Sequence, residues 1–240
     1  ARAVAANPGG LAFERGHELT VALGVEDPEV ATSAGQGFGA FGAASFGGRL
    51  VPRLGVGLGL EWLRPSRAQL EPDPGKPFRL TLGAAAALWR NVGAGIAWHH
   101  FHADGRLDGV DSFDLGLSLR LGSHLAAGAV LRDLASPGVG GARVQRRYEA
   151  EGVVRPFGSD VLEAGLGGRI GETRGDVDGW FRASLRVARG FYLHGEVESR
   201  ELHVLADTGV GIQEHGGRDV RATVGIELSF GTFGVTSLAT

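Results

Sequence analysis

The sequence predicts an all-β chain: an antiparallel transmembrane β-barrel of about 14 strands behind a short N-terminal segment. Three observations carry that expectation. Two-residue alternation of apolar and polar residues recurs in runs of about ten. Charged residues keep to the parity opposite the aliphatic ones. Of 240 residues, 42 are glycine and only 9 are proline, with no cysteine and no methionine.

Composition removes several classes first. A net charge of −3 leaves no basic footprint for nucleic acid. Without cysteine there are no disulfides, thiolate metal sites or thiol nucleophiles. Lys76 is the only lysine beside 23 arginines, which removes almost all lysine chemistry. Missing methionine points to a processed chain or an excised domain. No apolar run reaches the length of about 18 residues that a membrane helix needs. A barrel remains open, because its strands are only half apolar and the mean hydropathy of +0.02 does not separate it from a soluble fold.

The runs, in chain order, fall at 17–26, 36–47, 54–63, 78–89, 92–102, 111–121, 125–133, 143–155, 161–171, 179–188, 191–200, 202–213, 218–229 and 232–240. In the first, Leu19, Val21, Leu23 and Val25 oppose Thr20, Ala22, Gly24 and Glu26; in the second, Phe38, Ala40, Ala44 and Phe46 share a parity. Val56, Leu58, Leu60 and Trp62 oppose Gly57, Gly59 and Glu61. Phe113, Leu115, Leu117, Leu119 and Leu121 oppose Asp114, Gly116, Ser118 and Arg120. Phe181, Ala183, Leu185 and Val187 oppose Arg182, Ser184 and Arg186. Val220, Ala222, Val224, Ile226, Leu228 and Phe230 oppose Arg221, Thr223, Gly225, Glu227 and Ser229. Short turns, as at Arg90-Asn91 and Arg189-Gly190, mostly alternate with longer loops, as at 64–77 and 134–142. Such asymmetry matches periplasmic turns and outer loops, and an even strand count puts both barrel ends on the periplasmic side.

Charge orients the sheet. An arginine at the lipid midplane of a barrel costs about 2–4 kcal/mol, so charges belong on the lumen face. Arg79, Asp114, Arg132, Glu149, Glu151, Glu163, Arg169, Arg182, Arg186, Glu196, Asp207, Arg221 and Glu227 take that parity. Arg146 departs from it near a strand end, where the cost falls. Trp62, Phe78, Trp98, Trp180 and Phe181 are expected at the outer rim, and Trp89, Phe157 and Phe191 at the inner one. Gly55, Gly57, Gly59, Gly93 and Gly95 fall on the lumen parity and make room there. A soluble β-sandwich, the competing fold, has a dry inner face that fits so many inward charges poorly.

Residues 1–16 are expected to tuck into the lumen as a plug, with 17–240 as the barrel. The motif is Asn7-Pro8-Gly9-Gly10-Leu11, within Ala5 to Phe13. It resembles the Asn-Pro-Ala-Gly-Leu/Ile signature of the long-chain fatty-acid transporter (FadL) superfamily, with Gly9 in place of the usual alanine. Asp114–Leu117 with Leu125–Leu134 is similar to a hairpin of PorV-type barrels. The resemblance implies a bacterial outer-membrane barrel whose lumen segment lies inside, and passage or capture of hydrophobic small molecules. It equally implies a non-transporting barrel that anchors a periplasmic partner or a fused C-terminal domain, as in PorV-type secretion or a signal-peptide-peptidase-like protease fusion. Outer-membrane lipid is the expected partner in either case. The ending Ser237-Leu238-Ala239-Thr240 lacks the terminal aromatic common in such barrels, so Phe230 and Phe233 serve instead or a downstream part is missing.

Local chemistry is sparse. His99, His100 and His102 with Asp104 form the sharpest cluster. His100 and His102 leave one strand face and can share a metal, or they form a polar rim; no third ligand is identified, and neither a metal nor a cofactor is expected. Arg147, Glu149, Glu151 and Arg155, then Arg182 and Arg186, then His194, Glu196 and Glu198 read as a solute-selecting lumen or as ion-paired packing. No Gly-x-Ser-x-Gly elbow occurs, and Gly37 to Gly42 matches Gly-x-Gly-x-x-Gly without a following helix, so no enzyme is expected.

Overall fold

The computed structural model describes residues 3–14, 16–26, 37–47, 53–63, 78–103, 108–139, 142–172, 177–207 and 212–231. After a helical turn, α1 (Ala3–Ala6), and a 3-10 helix (Pro8–Phe13), every further regular element among the described residues is a β-strand. The strands are β1 (His17–Glu26), β2 (Gly37–Phe46), β3 (Leu54–Leu63), β4 (Phe78–Ala87), β5 (Val92–His102), β6 (Val110–Leu121) and β7 (Leu125–Arg132). There follow a two-residue hairpin, β8 (Gly138–Val139) and β9 (Ala142–Arg143), then β10 (Arg147–Val154), β11 (Leu162–Gly171), β12 (Val177–Ala188), β13 (Phe191–Asp207) and β14 (Ile212–Gly231). All but β8 and β9 close into one antiparallel barrel of twelve strands, each paired with its neighbours, with β14 returning to β1.

Twelve corrects the expected count of about fourteen. The run at 202–213 is not a separate strand: it holds the far end of β13 and the start of β14, which pair from Phe191↔Leu228 out to Asp207↔Ile212. The run at 232–240 lies outside the described residues. Alternation reports that backbone is extended, and it is blind to whether an extended run turns back or continues.

The barrel is apolar outside and polar inside. Along β6, Ser112 and Asp114 are 2% and 3% exposed while the intervening Phe113 and Leu115 are 36% and 40% exposed. The same inversion places Leu19, Leu58, Leu166, Leu193 and Ile226 on the exterior. Such a surface is stable only against lipid, where each strand's polar backbone is satisfied by its neighbours. Ten residues at about 3.3 Å each, tilted about 40°, cover a height near 25 Å, which is that of the lipid-facing band. The chain forms a membrane-spanning barrel.

At the turn end Trp89 and Phe157 are exposed, and Phe191 begins β13 there; at the loop end the Phe38, Trp62 and Phe78 rings pack against one another at tilted angles on the exterior. Trp180 is a correction. It shares its parity with Arg182 and points into the lumen, because neighbours on a strand take opposite faces and Phe181 takes the outer one. Arg146 precedes β10 and donates from Nε to the Leu134 carbonyl, outside the strands.

Candidate functional site

The site is the lumen, and residues 3–14 shape it. Asn7 caps the 3-10 helix by accepting from the Gly9 N–H at 3.0 Å, and Pro8 begins that helix, where a missing donor costs nothing. The Asn7 Nδ2 then donates to the Leu117 carbonyl of β6 at 2.9 Å. Inward glycines let this segment lie directly on the wall. A Cβ on Gly93 would stand 2.5 Å from the Gly9 carbonyl oxygen, and one on Gly95 the same distance from that of Pro8. Real side chains never pack so closely. Gly55 faces Leu11 in the same way, Gly57 and Gly83 face Val4, and Gly116 and Gly128 face Asn7, whereas Gly59 makes room for the Phe41 ring of the wall itself. Val4 and Leu11 are fully buried by this contact.

Polar residues behind the segment hold it. Arg132 donates to the Ala5 and Ala6 carbonyls at 2.9 and 2.6 Å, to Asp114 at 2.7 Å and to Glu149 at 2.9 Å. Asp114 also meets His99 Nε2 at 2.9 Å, and His99 Nδ1 meets the Thr81 hydroxyl at 2.9 Å. The chain Thr81–His99–Asp114–Arg132 crosses four strands. Thr81, His99 and Asp114 are buried, and Arg132 carries the network out to the Ala5 and Ala6 carbonyls, so it positions the segment.

The remaining charges of the lumen lie nearly all in pairs. Arg79 forks onto Glu61 at 2.7 and 2.8 Å. Arg155 meets Glu163 at 2.6 Å, Arg182 meets Glu151, Arg186 meets Asp160 at 2.5 Å, and His194 meets Glu227 at 3.0 Å. Arg169 bonds Asp178 and Glu198 at 2.6 and 2.5 Å. Glu196 lines the lumen between them. The side chains of Asp207 and Arg221 lie outside those described. Glu14, Glu18, Arg120, Asp160, Trp180 and Tyr192 belong to the same lining, although the sequence reading does not place them there. Parity would have found those on strands; Glu14 and Asp160 follow only from the folded chain.

Between segment and wall two adjoining cavities remain, of about 690 Å³ and about 310 Å³. They share Ala6, Asn7, Arg182 and Glu196. In the larger, Glu14, Glu18, Asp160, Glu163, Glu196 and Glu227 outnumber Arg120, Arg155 and Arg182. Burial pushes the Glu14 carboxyl up from 4.5 to about 7, and the neighbouring Glu18 carboxylate adds to this.

The histidine cluster divides. His99 faces inward, while His100 and His102 stand on the exterior, hydrogen-bonded at 2.9 and 3.0 Å to Asp111 and Asp108. The Ala103 N–H holds the Asp108 carboxyl below its usual range. Asp104 lies outside the described residues, and no group of three suitable ligands occurs among the described ones.

No family model matches the chain, and no curated protein does. Solved structures do. A KdgM porin matches with a TM-score of 0.52 at 9% identity, over 89% of this chain and 99% of that one. The same porin with disordered oligogalacturonate gives 0.51 at 9% identity over the same shares. A third structure, reported for the mechanism of in-meso crystallization of membrane proteins, gives 0.55 at 7% identity, over 89% and 83%. This is the fold of outer-membrane porins. These matches do not support the fatty-acid-transporter reading of the motif around Asn7 or the PorV-type reading of the hairpin around Asp114.

Proposed function

We propose that the barrel is a narrow channel for small polar solutes. One observation carries this reading: two cavities remain beside the N-terminal segment, sharing Ala6, Asn7, Arg182 and Glu196, and both are lined by charged side chains. Eight-stranded barrels are filled by their own side chains and those with sixteen or more strands hold an open aqueous pore. A twelve-stranded barrel with a wall-hugging segment lies between them, and residues 3–14 act as a plug that fills only part of its width.

Passage of hydrophobic compounds, the expectation attached to the motif, fits this lining poorly. Apolar solutes would cross a surface of paired ions without displacing any of them favourably. A side exit at the barrel seam is also disfavoured, since β1 and β14 pair without interruption from Glu18↔Gly231 to Glu26↔Thr223. The anchoring role, with a periplasmic or fused partner, is supported by the dense ion pairing of the lumen. Reconstitution into planar bilayers distinguishes the readings. A polar channel gives discrete conductance steps in salt solution and admits small sugars and amino acids in liposome swelling. Liposomes that exclude all such solutes, with no conductance steps, would overturn the channel and leave the anchor.

A further inference from the structure

The smaller cavity contains an aromatic platform that the wall does not require. Trp62, Trp89 and Trp98 serve the exterior, whereas Trp180 turns inward from β12. Its indole lies on Gly167 of β11: a Cβ at Gly167 would collide with Cε2, Cζ2 and Nε1 together. One face of the ring is thus laid flat on the backbone, and the residue lines the cavity. Glu151 of β10 lines the same cavity as the ring. Around the platform stand Glu196, Glu198, Arg169, Arg182 and, from the N-terminal segment, Asn7.

We infer that this cavity is a binding site for a neutral sugar ring, with Trp180 as its stacking surface. A pyranose presents C–H groups on one face and hydroxyls around its edge. The C–H face needs a flat apolar surface free of competing water, which an indole provides. The hydroxyls need donors and acceptors in one plane, and carboxylates beside guanidinium groups supply both. Those groups are held beforehand by Arg182–Glu151 and Arg169–Glu198, so little ordering remains to be done on binding. The cavity, about 310 Å³, lies at the small end of the range for ligand sites. Charge sets the class of sugar. Glu149, Glu151, Glu196 and Glu198 face Arg132, Arg169 and Arg182, and this balance has no positive excess for an acidic saccharide.

Covering a glycine with a cross-strand aromatic also stabilises a sheet by itself. That role explains the contact with Gly167 but leaves the other face of the ring in a polar lumen without a task. The inference deepens the channel reading and rests on it, because the sugar must reach the lumen.

The test uses the full chain in detergent and in bilayers, with maltotriose as probe, mannitol as an acyclic control and galacturonic acid as the charged one. Calorimetry should show maltotriose binding and mannitol should show none; galacturonic acid should bind more weakly. Trp180→Ala should weaken maltotriose binding about two- to tenfold, which is the ratio lost with one stacking contact. Trp180→Phe should restore part of it. Gly167→Ala, which lifts the ring and keeps the indole, should weaken it too. A conducting wild type that binds no maltotriose overturns the site and leaves the channel. Binding without conductance retains the site and overturns the channel. Equal binding by wild type and Trp180→Ala, with lower stability of the variant, reduces Trp180 to a cover for Gly167.

Discussion

The Nδ2 of Asn7 donates to the main-chain carbonyl of Leu117 across 2.9 Å, joining residues 110 positions apart. The same side chain caps the helix that follows it, so one residue shapes the N-terminal segment and fastens it to the wall. Asn7→Ala should cost about 1 kcal/mol from the lost cap and should raise single-channel conductance as the segment loosens. Gly116→Val is the stronger version, because Gly116 faces Asn7 with no room for a side chain. An unchanged conductance in both variants would show that the segment does not limit passage.

Arg132 is the hub of the buried network, so its loss is not a simple deletion. Arg132→Met leaves Asp114 and Glu149 without their shared cation and strips the Ala5 and Ala6 carbonyls of a donor. Removing one partner of a buried pair typically costs about 3–5 kcal/mol. Urea unfolding in liposomes should show a loss of that size. Adding Asp114→Asn to Arg132→Met should recover part of it, since the orphaned charge is then gone.

Carboxylates exceed guanidinium groups in both cavities. The channel should therefore prefer potassium over chloride, with a reversal potential of matching sign in a salt gradient. Screening shortens from about 30 Å at 0.01 M to about 3 Å at 1 M salt, so the preference should fade as salt rises. Glu196→Gln, on the lining common to both cavities, should reduce it.

Glu14 gives a pH dependence whose sign follows from its raised value. Its carboxyl moves from 4.5 to about 7 in the folded chain, so folding favours the protonated form. The corresponding stability is complete below about pH 4.5 and is lost as pH rises through 7. The unfolding midpoint should fall across that interval in the wild type, and Glu14→Gln should flatten the fall.

Leu166 stands 70% exposed on the exterior of β11. Leu166→Arg should destabilise the reconstituted barrel by about 2–4 kcal/mol, the depth-dependent cost of a cation in the lipid band. The substitution should be nearly silent if that surface instead faced water.

Much of the fold was legible because a strand has a period of two and lipid enforces it. Leu58, Leu117 and Leu185 had to share a face, and Arg79, Arg169 and Arg182 had to avoid it. Asn7-Pro8 likewise announced a capped turn from local chemistry alone. Less of the site was legible. Trp180 stood beside Phe181 and both were assigned to the rim, although the parity of Arg182 and Arg186 already separated them.

Residue order alone sets the faces of the wall, because side-chain direction alternates along each strand whatever the strand pairs with. It also determines that inward glycines leave space. The number of strands that close the barrel follows from pairing in the folded chain, since β13 and β14 continue as one long hairpin where alternation suggests a further strand. Folding likewise settles what fills the space: Gly9 against Gly93, Asn7 against Gly116, and Trp180 over Gly167. The physical reason is register. Thr81, His99, Asp114 and Arg132 lie on four strands, and they meet only when inter-strand hydrogen bonding sets Thr81 opposite His99 and brings β5, β6 and β7 into step beside them.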